Sequence, residues 1–372
     1  MRSALVSALA ETNPAVASRI WPQHPASQLW LGLTEIGVAS RERKPVTDAT
    51  MAKIMDAARK APLAAEPFLA RGVQAQVAGN ENLAREAFIA AKLRDGRSIP
   101  ARYFLAETYF RERRPGPALT EIAFLSRSLP NGVTRLAPYV GTYAKDRRNW
   151  PQLRSLFRSD PRIADATLAA LATDARNVDL VLALANPSLV NPHTDWAPRM
   201  VETLVTAGDY SRAHALWAQM SRVPAHSKEL VFDPEFRDGT RPPPFNWAMT
   251  SSAVGLAERR RGGGLHAIYY GQEDGTLARQ LLLLQPGTYR LAMTVSGIPG
   301  GSKALAWTLK CAGSNESIAR FPLDPAGAAK GWEFAVTANC PAQTLELDGA
   351  GSDLPQQVDV TITGLKLDRL NG

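Results

Sequence analysis

Cysteine occurs only twice in the 372 residues, at Cys311 and Cys340, and histidine five times. His24, His193, His214, His226 and His266 are scattered, with no pair at metal-ligand spacing, so no metal and no cofactor is expected. No apolar run approaches the roughly 20 residues a membrane-spanning helix needs. Low-complexity tracts are missing, which excludes collagen-like and disordered chains. A Gly-x-Ser-x-Gly elbow is missing too. Gly262-Gly263-Gly264 is followed by neither a helix nor Lys-Ser/Thr, so it is a flexible loop between strands and not a phosphate cradle. Glu333 and Glu346 are the candidate carboxylates for glycoside cleavage, but each falls on an alternating strand whose polar positions face water. The chain therefore reads as a non-enzyme.

What is present is globular: 45% apolar and 21% charged residues, over a length suited to two or three domains. The net charge of +8 is unevenly spread. Residues 1–225 hold 29 basic and 20 acidic side chains, whereas 226–372 hold 14 and 15. The excess gathers in Arg41-Glu42-Arg43-Lys44, Arg111-Glu112-Arg113-Arg114 and Lys145-Asp146-Arg147-Arg148. Basic residues at the ends of helices complement the helix dipole, which is the ordinary explanation; the sharper one is an anionic partner. No aromatic interleaves with the clusters and no nucleic-acid module is visible, so nucleic acid is not expected.

From Ala65 the chain divides into blocks of 34 residues. Phe68, Gly72, Gly79, Ala84, Phe88 and Ala91 stand at offsets 4, 8, 15, 20, 24 and 27 of the first block, and Leu105, Ala106, Tyr109, Ala118 and Pro130 at 7, 8, 11, 20 and 32 of the second, so the small residues Gly72 and Ala84 recur as Ala106 and Ala118. Gly208, Asp209, Tyr210, Ala213 and Trp217 repeat the pattern in a block starting at Thr194. Small residues at the crossing points let paired helices approach closely, and aromatics fill the space beside them. Residues 133–191 keep the helical period but lose the small positions, and Pro151 and Pro161 shorten their helices. Residues 26–63 form a divergent pair. The pattern resembles the tetratricopeptide repeat. That resemblance implies an α-solenoid over residues 1–225 that binds a partner protein on its concave face.

After Val223-Pro224 the period changes to alternation with Gly/Pro turns. Strands are expected at Glu229–Phe236, Phe245–Met249, Ala257–Arg261, Leu265–Tyr270, Leu277–Leu284, Tyr289–Ser296, Leu305–Cys311, Trp332–Ala338, Thr344–Leu347 and Val358–Leu370, with no helix between them. The expected fold of 226–372 is an antiparallel β-sandwich. The opening Val231-Phe232-Asp233-Pro234-Glu235-Phe236 with Phe245-Asn246-Trp247, the hairpin around Gln285-Pro286-Gly287-Thr288, and the closing Val360–Asp368 are similar to carbohydrate-binding-module jelly rolls. The resemblance implies sugar as ligand, with Trp247, Tyr269 and Tyr270 as stacking rings and Arg261, Gln272 and Asp274 as polar partners. Trp247 also suits the sandwich interior. Tyr269 and Tyr270 are adjacent on a strand, so one must face outward.

Cys311 and Cys340 are expected to form a disulfide, which suits an exported, periplasmic protein; free buried thiols in a cytoplasmic one are the alternative. The start, Met1–Glu11, has one basic residue and an apolar stretch broken by Ser7, so it reads as a first helix rather than a secretory signal. A membrane anchor upstream is the third option. The combined reading is a multi-domain, α-then-β binding scaffold that resembles accessory proteins of bacterial exopolysaccharide assembly or export, with polysaccharide on the sandwich. A protein–protein adaptor without glycan binding and a glycan-active enzyme are the alternatives.

Overall fold

The computed structural model describes residues 2–41, 46–185, 193–223, 229–298, 304–314, 316–353 and 357–370. The chain divides into two compact units, residues 1–167 and 168–372.

The first unit is a helical repeat array: α1 (Arg2–Ala10), α2 (Pro14–Ile20), α3 (Pro25–Arg41), α4 (Asp48–Lys60), α5 (Glu66–Val77), α6 (Glu81–Arg94), α7 (Ile99–Arg111), α8 (Pro115–Ser128), α9 (Gly132–Ala144) and α10 (Trp150–Ser159), followed by α11 (Pro161–Leu171) across the division. Consecutive first helices begin at Glu66, Ile99 and Gly132, close to the period read from sequence. Local chemistry sets these starts. Asn80 Oδ1 accepts from Leu83 N–H at 3.1 Å to open α6, and prolines occupy the first turns of α5, α7, α8 and α10, where no N–H partner is lost.

Pairing follows from the small residues. A β-carbon on Gly72 would lie 2.4 Å from the Phe88 ring, and one on Gly32 2.5 Å from Ile54, so α5/α6 and α3/α4 close to a distance only glycine permits. Neighbouring pairs are joined by Phe88 stacked on Phe104 at 4.7 Å. They are joined as well by Glu121 of α8, a buried carboxylate that pairs with Lys92 of α6 and, at 2.6 Å, with Arg102 of α7. A buried acid without its cations would be strongly destabilising, so this triad fixes the stacking of pairs.

The second unit begins with α12 (Val178–Leu184), α13 (Trp196–Thr206) and α14 (Tyr210–Ser221) and continues as two antiparallel five-stranded sheets. Its strands are β1 (Ala248–Met249), β2 (Gly255–Arg259), β3 (Leu265–Tyr269), β4 (Gly275–Leu282), β5 (Gly287–Ile298), β6 (Leu305–Cys311), β7 (Ser317–Pro322), β8 (Trp332–Val336), β9 (Gln343–Gly349) and β10 (Val358–Leu370). One sheet runs β1-β4-β9-β6-β7 and the other β2-β3-β10-β5-β8. Trp247, Tyr269, Tyr289, Trp307, Leu345 and Val360 are among the residues that fill the space between them.

Three expectations are corrected. Glu229–Phe236 is not a strand: Asp233 and Phe236 take left-handed φ (50° and 54°), and the segment is a loop tied to β4 by the buried Gln280, whose amide exchanges two hydrogen bonds with Phe232 (3.0 and 2.8 Å). A helix does interrupt the strands, α15 (Pro325–Lys330), capped by Asp324 on Gly327 N–H at 2.6 Å. A further strand, β7, pairs with β6 where no alternation was visible.

The helix-to-strand change lies between Ser221 and Ala248, whereas the compact units divide earlier. The reason is Trp217 of α14. It is buried, donates its indole N–H to Pro242 O at 2.7 Å, and meets the rings of Phe232 and Phe245 at 5.1 and 5.6 Å. Arg241 Nε adds a bond to Ser221 O at 2.8 Å. Cys311 and Cys340 are disulfide-bonded, with Cα atoms 5.5 Å apart. Among the described residues no helix is long and apolar enough to cross a membrane.

Candidate functional site

The second and third basic clusters, 34 residues apart in sequence, meet at one groove in the first unit. It has a volume of about 870 Å³. Its floor is aromatic. Phe110 and Tyr143 occupy the same turn of α7 and α9, one repeat apart, and their rings touch at 4.9 Å. Tyr139 lies one turn earlier on α9 and is 55% exposed; its hydroxyl meets that of Tyr103 on α7 at 3.2 Å. The rim is basic: Arg111 ends α7, Arg113 follows it, and Arg148 lies in the turn after α9.

Backbone geometry holds this rim. Arg113 takes a left-handed φ of 57°, and Arg114 N–H returns to Tyr109 O at 2.8 Å, which turns the chain sharply between α7 and α8. After α9, Asn149 donates to Tyr143 O at 2.9 Å and Trp150 Nε1 to Ala144 O at 2.9 Å, so the Asp146–Arg148 turn is bound to the helix end.

Electrostatically the groove is positive. Three guanidiniums face one carboxylate, Asp146. Arg148 hydrogen-bonds Asp146 (2.6–3.0 Å) and holds its carboxyl below the usual range, with Arg113 adding a weaker pull. Arg111 reaches Glu81 at 3.4 Å, while Arg113 makes no ion pair among the described residues. The Tyr103 phenol is pushed up to about 12, chiefly by the Tyr139 hydrogen bond. Burial, then the Asp146 charge, does the same for Tyr143, also to about 12. These phenols keep their protons at neutral pH. Tyr143 Oη is covered and has no hydrogen-bond partner among the described residues. The arrangement can hold an anionic chain that also carries apolar side chains; the described residues lining it offer no nucleophile–base pair. Much of the first basic cluster, residues 42–44, lies outside the described residues.

The sandwich candidates do not converge. Trp247 is 3% exposed and donates its indole N–H to Asp233 O at 3.0 Å; Tyr269 is fully buried with its hydroxyl on Glu273 O at 3.1 Å. Neither ring has a free face, because alternation on β3 and the pinned 229–247 loop send both inward. Tyr270 is 42% exposed and stands with exposed Gln272 and with Asp274, whose carboxylate accepts from Gly351 N–H at 2.7 Å. Arg261 precedes β3 while Tyr270 follows it, so the two lie at opposite ends of that strand. Glu333 and Glu346 are also separated: Glu333 is on β8 of one sheet beside Arg290 (2.5 Å), and Glu346 is on β9 of the other beside Lys310 (2.6 Å). They do not flank a common cleft. In the sequence Tyr139 and Tyr143 read only as part of the helical period of residues 133–191; the signal for a groove is the return of an aromatic, Phe110 then Tyr143, at equal turns of α7 and α9.

No protein-family model matches the chain, and no curated protein does. Solved structures that it resembles include Pseudomonas aeruginosa pilF (15% identity, 55% of this chain and 78% of that one, TM-score 0.26). The Cut9–Hcn1 hetero-tetramer of the APC/C (14%, 60% and 38%, 0.28) and yeast Tom70 (14%, 60% and 52%, 0.31) are others. The chain spans about half or less of the length of the last two. The three are tetratricopeptide-containing proteins. The helical repeat is carried by this chain's own helix pairing.

Proposed function

We propose that the protein is a non-catalytic scaffold whose helical array seats an extended, acidic segment of a partner protein. The observation that carries this is the groove across α7 and α9, with aromatic floor and an excess of guanidinium at the rim. Arg pairs with carboxylates through a planar fork, and exposed tyrosines supply contact area at low entropic cost. Panning random peptides on the full chain should enrich sequences that combine Asp or Glu with an aromatic or aliphatic residue. Their affinity should fall at least about tenfold in R113E/R148E with the fold retained. Enrichment without acidic residues, or equal binding by the variant, would refute the reading.

For the second unit we propose a jelly-roll path, supported by the repeated crossing between sheets from β3 to β6 and from β7 to β10. Residence in an oxidising, exported compartment is supported by the Cys311–Cys340 bridge. A neutral-sugar platform retains only Tyr270 of its three rings, which favours the adaptor reading for that part of the surface.

A further inference from the structure

The β2–β3 turn joins arginines to glycines: Arg259-Arg260-Arg261-Gly262-Gly263-Gly264. All three glycines have positive φ (90°, 109° and 101°), and Arg260 N–H donates to Gly264 O at 2.9 Å to close the turn. Gly264 N–H anchors it to the preceding loop at Glu235 O, 2.8 Å away. A β-carbon on Gly263 would fall 2.9 Å from Arg237 Nε, and one on Gly264 2.8 Å from the Thr363 methyl. Bare glycines therefore let the Arg237 guanidinium lie across the turn, and let the turn lie flat against the outer face of β10. There Arg260 reaches Thr361 Oγ1 at 3.4 Å.

Arg237, Arg260 and Arg261 are exposed, and none has an ion-pair partner among the described residues. The neighbouring acids have other partners. Asp233 accepts from the backbone N–H groups of Arg237 and Asp238 (2.7 and 2.9 Å) and lies 3.8 Å from Arg259, Asp238 pairs with Arg241, Glu235 engages the turn through its carbonyl, and Glu258 and Asp359 both face His266 (3.2 and 3.0 Å). Beyond Arg260 the sheet presents hydroxyls, Thr361 opposite Ser296 and Thr363 opposite Thr294 in the β10–β5 ladder. The tip has no large apolar side chain.

We infer that this arginine turn and the hydroxyl row beside it bind an acidic polysaccharide. Uronate-type carboxylates match the guanidinium fork, and sugar hydroxyls match a surface of threonine and serine. A bilayer fits less well, because interfacial binding needs apolar area beside the charge. A structured acidic protein would need a complementary apolar patch that the tip lacks. This inference is independent of the groove on the helical array.

The probe is polygalacturonate, in affinity electrophoresis of the full chain with dextran as the neutral control. Retardation is expected in polygalacturonate alone and should vanish by about 0.5 M salt. In R237A/R260A/R261A the dissociation constant should rise at least about tenfold. R127A/R158A, which removes exposed arginines of α8 and α10 outside the groove, should bind as the wild type does, which separates this site from the general positive charge of the chain. No retardation, equal retardation of the triple variant, or an equal loss in R127A/R158A overturns the inference. Variant-sensitive binding to phosphatidylglycerol vesicles without binding to polygalacturonate does so as well, assigning the turn to a membrane.

Discussion

Gly72 shows how a single residue sets the array. Its missing side chain is the space that the Phe88 ring fills, and Phe88 is fully buried against Phe104. Gly72→Ala should gain about 1 kcal/mol in helix propensity and lose about 1–3 kcal/mol to overpacking. With the Phe88 ring fully buried at that point, a net loss of up to about 2 kcal/mol is expected in chemical denaturation. That position was legible in sequence, since a small residue recurring opposite an aromatic has one simple physical reading. His266 was not legible, because Glu258 faces it only through the β2–β3 hairpin register and Asp359 comes from β10, 93 residues away. Glu258 first, then Asp359, raise its pKa above the ordinary imidazole value. The sign is that of a cation stabilised by folding: the contribution is complete below about pH 6.5 and is lost as pH rises through the folded value. Thermal melts of His266→Gln should differ from wild type below that window and converge above it.

At the scale of elements, strands with clean alternation were readable to within a few residues, as at Leu305–Cys311 and Val358–Leu370. Three elements were not. β7, Ser317–Pro322, has polar positions on both faces because it is an edge strand of its sheet. The short α15 owes its existence to the Asp324 cap and Pro325 rather than to periodicity. The 229–247 segment looks apolar enough for a strand, but its side chains serve α14 and β4 instead. Trp217 is the point where that segment meets α14, so Trp217→Ala should cost about 3–5 kcal/mol and leave a cavity. Urea denaturation followed by tryptophan fluorescence would measure it; a loss under 1 kcal/mol would mean that α14 is not packed on the segment as described.

The molecule as a whole consists of two units stabilised by different means, one by repeated helix pairs and ion-paired stacking, the other by a two-sheet core with a covalent bridge. The bridge spans 29 residues, and in the chain-entropy model it contributes about 3–4 kcal/mol. C311S/C340S, or reduction, should therefore lower the calorimetric transition of residues 168–372 and leave that of 1–167 unchanged. The candidate site was half legible. Composition located the arginine clusters, but only the fold shows that two of them share a groove and that Tyr139 and Tyr143 line its floor.

Amide hydrogen exchange of the full chain, with and without an acidic peptide selected by panning, tests the central claim most directly. Protection should concentrate in α7, α9 and the turns at 111–115 and 145–149, and should disappear in R113E/R148E. Protection confined to the second helices of the pairs, or equal protection in that variant, would contradict the assignment of the groove as the partner's seat.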